Sequence, residues 1–147
     1  MRHSESLLLP TGHFLLKAFR RGILVDVVDE PNLIVNGSKT AHARLLGGDV
    51  TNRSITKFAC GTSGTAPAGG NTSLTGAFSK AIDAVSYPDA TSVKFDFSLL
   101  TSENNGMAIL EFGLLTAGDV LYARKVRSVA LNKDVDLTFS GSWTITF

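Results

Sequence analysis

The chain has 147 residues, a formal net charge of +1, one cysteine, 44% hydrophobic residues and only 18% charged residues. That length suits one domain able to bury a core without a staple, and the lone Cys60 excludes an internal disulfide. Near-neutral charge gives no bulk signal for a nucleic-acid or membrane partner, and the charged share lies below the usual quarter or so. Interface cores are depleted of charge, so the composition points to surface shared with another chain. Charge is slightly uneven. Residues 1–57 carry eight Lys/Arg against five Asp/Glu, and the remainder six against eight, which gives +3 and −2.

Residues 1–11 read as a flexible arm ending near Pro10, with 12–147 as the single domain. The apolar stretch Leu7-Leu8-Leu9 is too short for a signal-peptide core, and no run reaches the length of a membrane span. Synthesis and folding in a cytoplasm are therefore expected. His13 to Arg20 weakly favours a strand. Gly22 permits a turn, and Ile23 to Val28 supplies the second arm of a hairpin around Arg21-Gly22. Pro31 is expected to break the chain at Asp29-Glu30-Pro31-Asn32. After Leu33-Ile34-Val35 and Asn36-Gly37, the spacing predicts one helix over Ser38 to Leu46. Ser38 is its expected N-cap, and Gly47-Gly48 its stop.

Ile55 to Cys60 alternates, with Phe58 and Cys60 inward. Gly61 to Gly70 is a loop. Leu74 to Tyr87 is predicted as a strand anchored by Phe78, Ile82 and Val85, although its spacing also fits a helix. Val93, Phe95, Phe97 and Leu99 mark a half-buried strand at period two. Glu103-Asn104-Asn105-Gly106 turns, and Met107 to Thr116 returns. Ala117-Gly118-Asp119 turns again, and the alternation from Val120 to Arg127 predicts a further strand. Val135, Leu137 and Phe139 begin a last strand that ends on Trp143, Ile145 and Phe147, with Gly141 marking a bulge or bend. Roughly eight strands, short turns and one short α-helix predict a mainly β fold, an antiparallel β-sandwich of immunoglobulin-like or jelly-roll-like type.

No set of residues assembles into catalytic chemistry. The Gly61–Gly70 segment lacks the Lys-Ser/Thr of a phosphate loop. His3, His13 and His42 have no metal-ligand spacing, and Cys60 reads as a small buried hydrophobe. Asp134 and Asp136 are expected on one side of a strand. Glu111, inside Leu110-Glu111-Phe112-Gly113-Leu114, is either exposed or paired with Arg124 on the next strand. The Arg20-Arg21 and Arg124-Lys125-Arg127 clusters read as solvated strand faces rather than acidic-surface sites. The expectation is therefore a non-enzyme with no catalytic, cofactor-binding or metal-ligating residues and no cofactor.

Several segments, in order, resemble a family. Glu111-Phe112-Gly113-Leu114-Leu115, Gly118-Asp119 and Leu121-Tyr122-Ala123-Arg124 look like a signature of small structural proteins from the tail or neck (collar) of tailed bacteriophages. The Gly61-Thr62 to Asn71-Thr72-Ser73-Leu74 loop, Leu33-Ile34-Val35-Asn36-Gly37 and Trp143-Thr144-Ile145-Thr146-Phe147 also fit. The resemblance covers residues 31–147. It departs at Asn71, where Asp is more usual; either side chain caps a turn. It implies a virion component of tail, neck or baseplate with no catalytic residues to transfer. Together with the low charged share and the apolar C-terminal strand, it leads to the expectation of a symmetric homo-oligomer that contacts other virion proteins, while the near-neutral charge points to neither nucleic acid nor membrane. The alternative is a receptor- or glycan-binding module of a tail fibre, with Tyr87, Tyr122 and Trp143 as the aromatic candidates. An enzyme is the third reading and has the least support.

Overall fold

The computed structural model describes residues 9–147; the larger part of the expected arm, residues 1–8, lies outside them. Leu9 and Pro10 precede β1 (Thr11–Arg20), in which Phe14, Leu16 and Ala18 are fully buried on one face. The expected Arg21-Gly22 turn closes a hairpin to β2 (Ile23–Ile34). Both turn residues have positive φ, 50° and 79°, as a type I′ turn requires.

Contrary to expectation, Pro31 does not interrupt β2. The Pro31 carbonyl accepts from Lys125 Nζ on the side away from β1, so the missing N–H also points to that side. No ladder runs along that side of β2 before Leu33, and a proline on a free edge costs no ladder bond.

The helix α1 (Gly37–Leu46) starts a residue earlier than expected. Asn36 is its N-cap and makes no side-chain capping bond, while Ser38 lies buried in the first turn. The stop is a Schellman arrangement: Gly48 N–H donates to the Leu45 carbonyl and Asp49 N–H to that of Arg44. Gly48 supplies the left-handed residue, at φ 88°.

β3 (Ile55–Gly61) turns Phe58 and Cys60 inward as expected. The segment expected as a single strand, Leu74 to Tyr87, instead forms two short strands, β4 (Phe78–Ala81) and β5 (Ala84–Ser86). They pair with different neighbours: β4 with β3, and β5 with β6 (Ser92–Leu99). β7 (Ala108–Thr116) and β8 (Leu121–Asn132) form a hairpin, and β9 (Leu137–Thr146) lies between β1 and β6.

Over the described residues the protein is mainly β, with one short helix and nine antiparallel strands in the order β4-β3-β7-β8-β2-β1-β9-β6-β5, curled into a half-barrel. β2 is the joint. Its first part pairs with β1, and only Leu33 and Ile34 pair with β8. The inner faces of the two arms share one core. Phe58 of β3 stacks on Phe97 of β6 with ring centroids 4.1 Å apart, and Phe14 of β1 lies 5.0 Å from Phe112 of β7. Trp143, wholly buried, donates its indole N–H to Asn32 Oδ1 at 2.7 Å.

Gly141 marks no bulge, since β9 keeps unbroken register with both neighbours. It is glycine because a Cβ there would lie 2.0 Å from the Leu15 carbonyl oxygen and 2.8 Å from the Phe97 ring.

Candidate assembly surface and the buried ion pair

Among the described residues, Glu111 and Arg124 are the one ion pair buried on both sides, at 1% and 3% side-chain exposure. The β7–β8 register sets Arg124 directly opposite Gly113, two residues along from Glu111, so the two side chains share a face. Arg124 Nε donates to Glu111 Oε2 at 2.8 Å, which realises the paired alternative read from the sequence. The neighbouring β3 contributes Gly61 opposite Glu111, and a Cβ there would lie 2.4 Å from Glu111 Oε1.

The pair is roofed by the Gly/Thr-rich loop. Arg124 donates to the carbonyls of Thr65 and Ser63 and to Asn71 Oδ1. Glu111 Oε1 accepts the N–H groups of Ser63 and Thr75, at 3.2 and 2.6 Å. Asn71 also accepts from Ala68 N–H, closing its own turn. A phosphate cradle presents N–H donors to an anion. Here the segment gives carbonyls to a guanidinium, and its one anion is Glu111. The cluster clamps a loop over the outer face of β7 and the start of β8, which explains why β7 is apolar and buried on successive residues rather than alternating.

Each residue of the basic clusters also has an acidic partner. Arg20 meets Asp134 at 2.9 Å, Arg21 meets Asp136 at 3.1 Å, Arg127 meets Asp26 at 2.7 Å and Lys125 meets Glu30. Asp134 and Asp136 are therefore not on a strand as expected; they sit in the turn before β9 and receive the hairpin arginines. Arg20 holds the Asp134 carboxyl below the usual carboxylate range.

The remaining candidates are equally occupied. His13 pairs with Asp29 on the surface, and His3 lies outside the described residues. His42 Nε2 lies 2.6 Å from the Tyr122 hydroxyl. Burial lowers the His42 pKa and raises that of Tyr122 to about 12. Cys60 is fully buried, and desolvation pushes its thiol far above the ordinary range, so the reactive thiolate is suppressed. Among the described residues, no group of three or more His, Cys, Asp or Glu is placed to hold a metal. Among them too, no helix is long and apolar enough to cross a membrane. Of the aromatic candidates for sugar contact, Trp143 and Tyr122 are buried and Tyr87 is exposed.

Sequence patterning missed what lies along β2. From Ile23 to Asn32 this strand has β1 on one side and no ladder on the other. Ile23 is 70% exposed, Leu24 50%, Val25 53% and Val27 47%. Val129 of β8, across the gap, is 70% exposed, and Val135 beside Asp134 and Asp136 is 65% exposed. Val25 is the extra residue of a bulge, because Asp26 opposes Ala18 while Leu24 opposes Phe19. Bulges and charges blunt free edges. Here the charges, Asp26 and Glu30, are drawn across to β8, and the apolar end of the hairpin is left bare.

No family model matches the chain, and no curated protein and no solved structure matches it.

Proposed function

We propose that this protein is a non-enzymatic structural subunit that works by assembling with copies of itself, as a component of the tail, neck (collar) or baseplate of a bacteriophage virion. The observation that carries the reading is the apolar, unpaired half of β2. A strand with a free edge is a template for another strand, and a contiguous exposed apolar patch marks an interaction site. The low charged share supports the same reading, and so does the family resemblance over residues 31–147. In this reading the β2 edge meets a different surface of the next copy, so the contact is head-to-tail, and rings follow where such contacts close around an axis. In this reading the two arms of the curled sheet serve as layers of a β-sandwich of immunoglobulin-like or jelly-roll-like type. The partners are further copies and other virion proteins, and synthesis takes place in the bacterial host's cytoplasm.

Light scattering of the full chain across a concentration series tests the assembly. The expected result is a defined oligomer, reduced to monomer by Ile23→Lys with Val27→Lys at an unchanged melting temperature. A monomer at every concentration, together with absence of the chain from purified virions by mass spectrometry, refutes the reading.

A further inference from the structure

β4 and β5 occupy opposite ends of the strand order, yet only Ile82 and Asp83 separate them in the chain. At this closure, α1 and the ends of β6 and β9 border an open cleft of about 870 Å3. Leu45 of α1, Ile82, Val93, Phe95, Ile145 and Phe147 give it a largely apolar wall, and Leu45 and Phe147 are exposed there. His42 meets the Tyr122 hydroxyl, Ser92 is bonded to Asp89 and Thr146, and Arg53 is paired with Asp49. What the cleft offers is therefore apolar surface, which gains by being covered.

The chain itself carries apolar residues to this end of the sheet. Among residues 2–9 the apolar ones are Leu7, Leu8 and Leu9, which directly precede Pro10 and β1. Thr11, the first residue of β1, lies opposite Thr146, which sits between the cleft residues Ile145 and Phe147. Thr146 lies opposite Ser92 at the start of β6, another cleft residue. Pro10 favours an extended Leu9, so the chain leaves β1 stretched rather than coiled. Extended chain covers about 3.3–3.6 Å per residue, so Leu8 reaches about 10 Å from Thr11 and Leu7 about 14 Å. Neighbouring strands lie about 4.8 Å apart, so β6 and β5 stand about 10 and 14 Å from β1. Both leucines can span the mouth of the cleft from their own β1.

We propose that Leu7 and Leu8 cover the cleft of their own chain, so that the segment before β1 forms a strap across the ends of β9 and β6 toward α1. A segment joined to the cleft by so short a link acts at an effective concentration of about the millimolar range, which places it ahead of a separate copy. The strap withholds the cleft from other copies and leaves the β2 edge to direct assembly. It does not itself depend on that assembly.

Methyl NMR of the full chain tests the proposal. Nuclear Overhauser contacts join the Leu7 and Leu8 methyls to those of Ile82, Val93 and Ile145, and none reaches Ile23. In a mixture of differently labelled copies these contacts stay within one copy. Leu7→Ser with Leu8→Ser shifts the Ile82 and Ile145 resonances, leaves Ile23 in place and lowers the melting temperature by roughly 4–8 °C, the scale of two leucines partly returned to water. Leu45→Lys, at an exposed position, puts a charge in the wall and abolishes the contacts with both leucines intact. Three results overturn the proposal: no contact from Leu7 or Leu8 to the cleft, Ile82 and Ile145 resonances unmoved in the serine variant, or contacts found between copies, which would give the cleft to a neighbour.

Discussion

Replacing Arg124 with methionine keeps an unbranched apolar stem and removes the charged guanidinium. The substitution leaves the Glu111 carboxylate, 1% exposed, without its cation, and strips a donor from Ser63, Thr65 and Asn71. Removing one partner of a buried pair costs about 3–5 kcal/mol, because the survivor is an uncompensated buried charge. Glu111 keeps the N–H donors of Ser63 and Thr75, and the loop above it can open to admit water, so about 3 kcal/mol is expected here. For a domain of this size that corresponds to a melting temperature lowered by roughly 6–12 °C. The loss is well within the 5–15 kcal/mol typical of whole domains, so the variant still folds. Urea unfolding followed by circular dichroism measures the loss, and limited proteolysis locates it between Thr62 and Thr75. The double variant Glu111→Leu with Arg124→Met recovers much of it, since an apolar pair leaves no charge stranded. An Arg124→Met variant within about 1 kcal/mol of the parent refutes the reasoning, and so does a double variant less stable than the single one.

Gly141→Ala drives a methyl group into the Leu15 carbonyl and the Phe97 ring, and is expected to cost about 3 kcal/mol, the upper end for overpacking. A melting temperature within about 2 °C of the parent would show that β1 and β9 can separate without penalty. Acid should weaken the fold through Glu103, whose carboxyl is held below its ordinary value of 4.5 chiefly by its hydrogen bond from Lys80. Its folded-state pKa is lowered, so its contribution is fully present above pH 4.5 and is lost as pH falls through the lowered value. Denaturant midpoints measured from pH 6 downward should therefore fall, less steeply in Glu103→Gln; an identical slope in the variant sinks the assignment.

Period-two patterning exposed the strands that have one wet and one dry face. In β6, Phe95, Phe97 and Leu99 point to the core, and in β9 Leu137, Phe139, Trp143 and Ile145 do the same. The pattern failed where a strand has another kind of neighbour. β7 is covered on both faces, so Glu111 stood out only as a carboxylate in an apolar run. Its partner could be inferred because such a group must be matched. Its other partners, the backbone N–H groups of Ser63 and Thr75, carry no residue-specific signal. Leu74 to Tyr87 was misread because a sequence shows spacing but not which sheet edge each short piece joins. Pro31 was misread because breaking a strand requires a ladder on the proline's side, and β2 has none there.

The β2 hairpin shows the same limit in the form that matters most for function. Ile23, Leu24, Val25 and Val27 have the composition of a buried strand, and their sequence cannot distinguish burial within the chain from burial against another chain. The topology can. β8 leaves β2 after Leu33 and Ile34, and Lys125 and Arg127 span the gap with ion pairs instead of backbone bonds. Such partly exposed pairs are worth little individually, so they hold the gap without sealing it. An apolar strand left beside an open gap gains by accepting a further strand, whereas one paired on both sides would gain nothing. The case for assembly therefore rests on where the β2–β8 ladder stops rather than on how apolar β2 is.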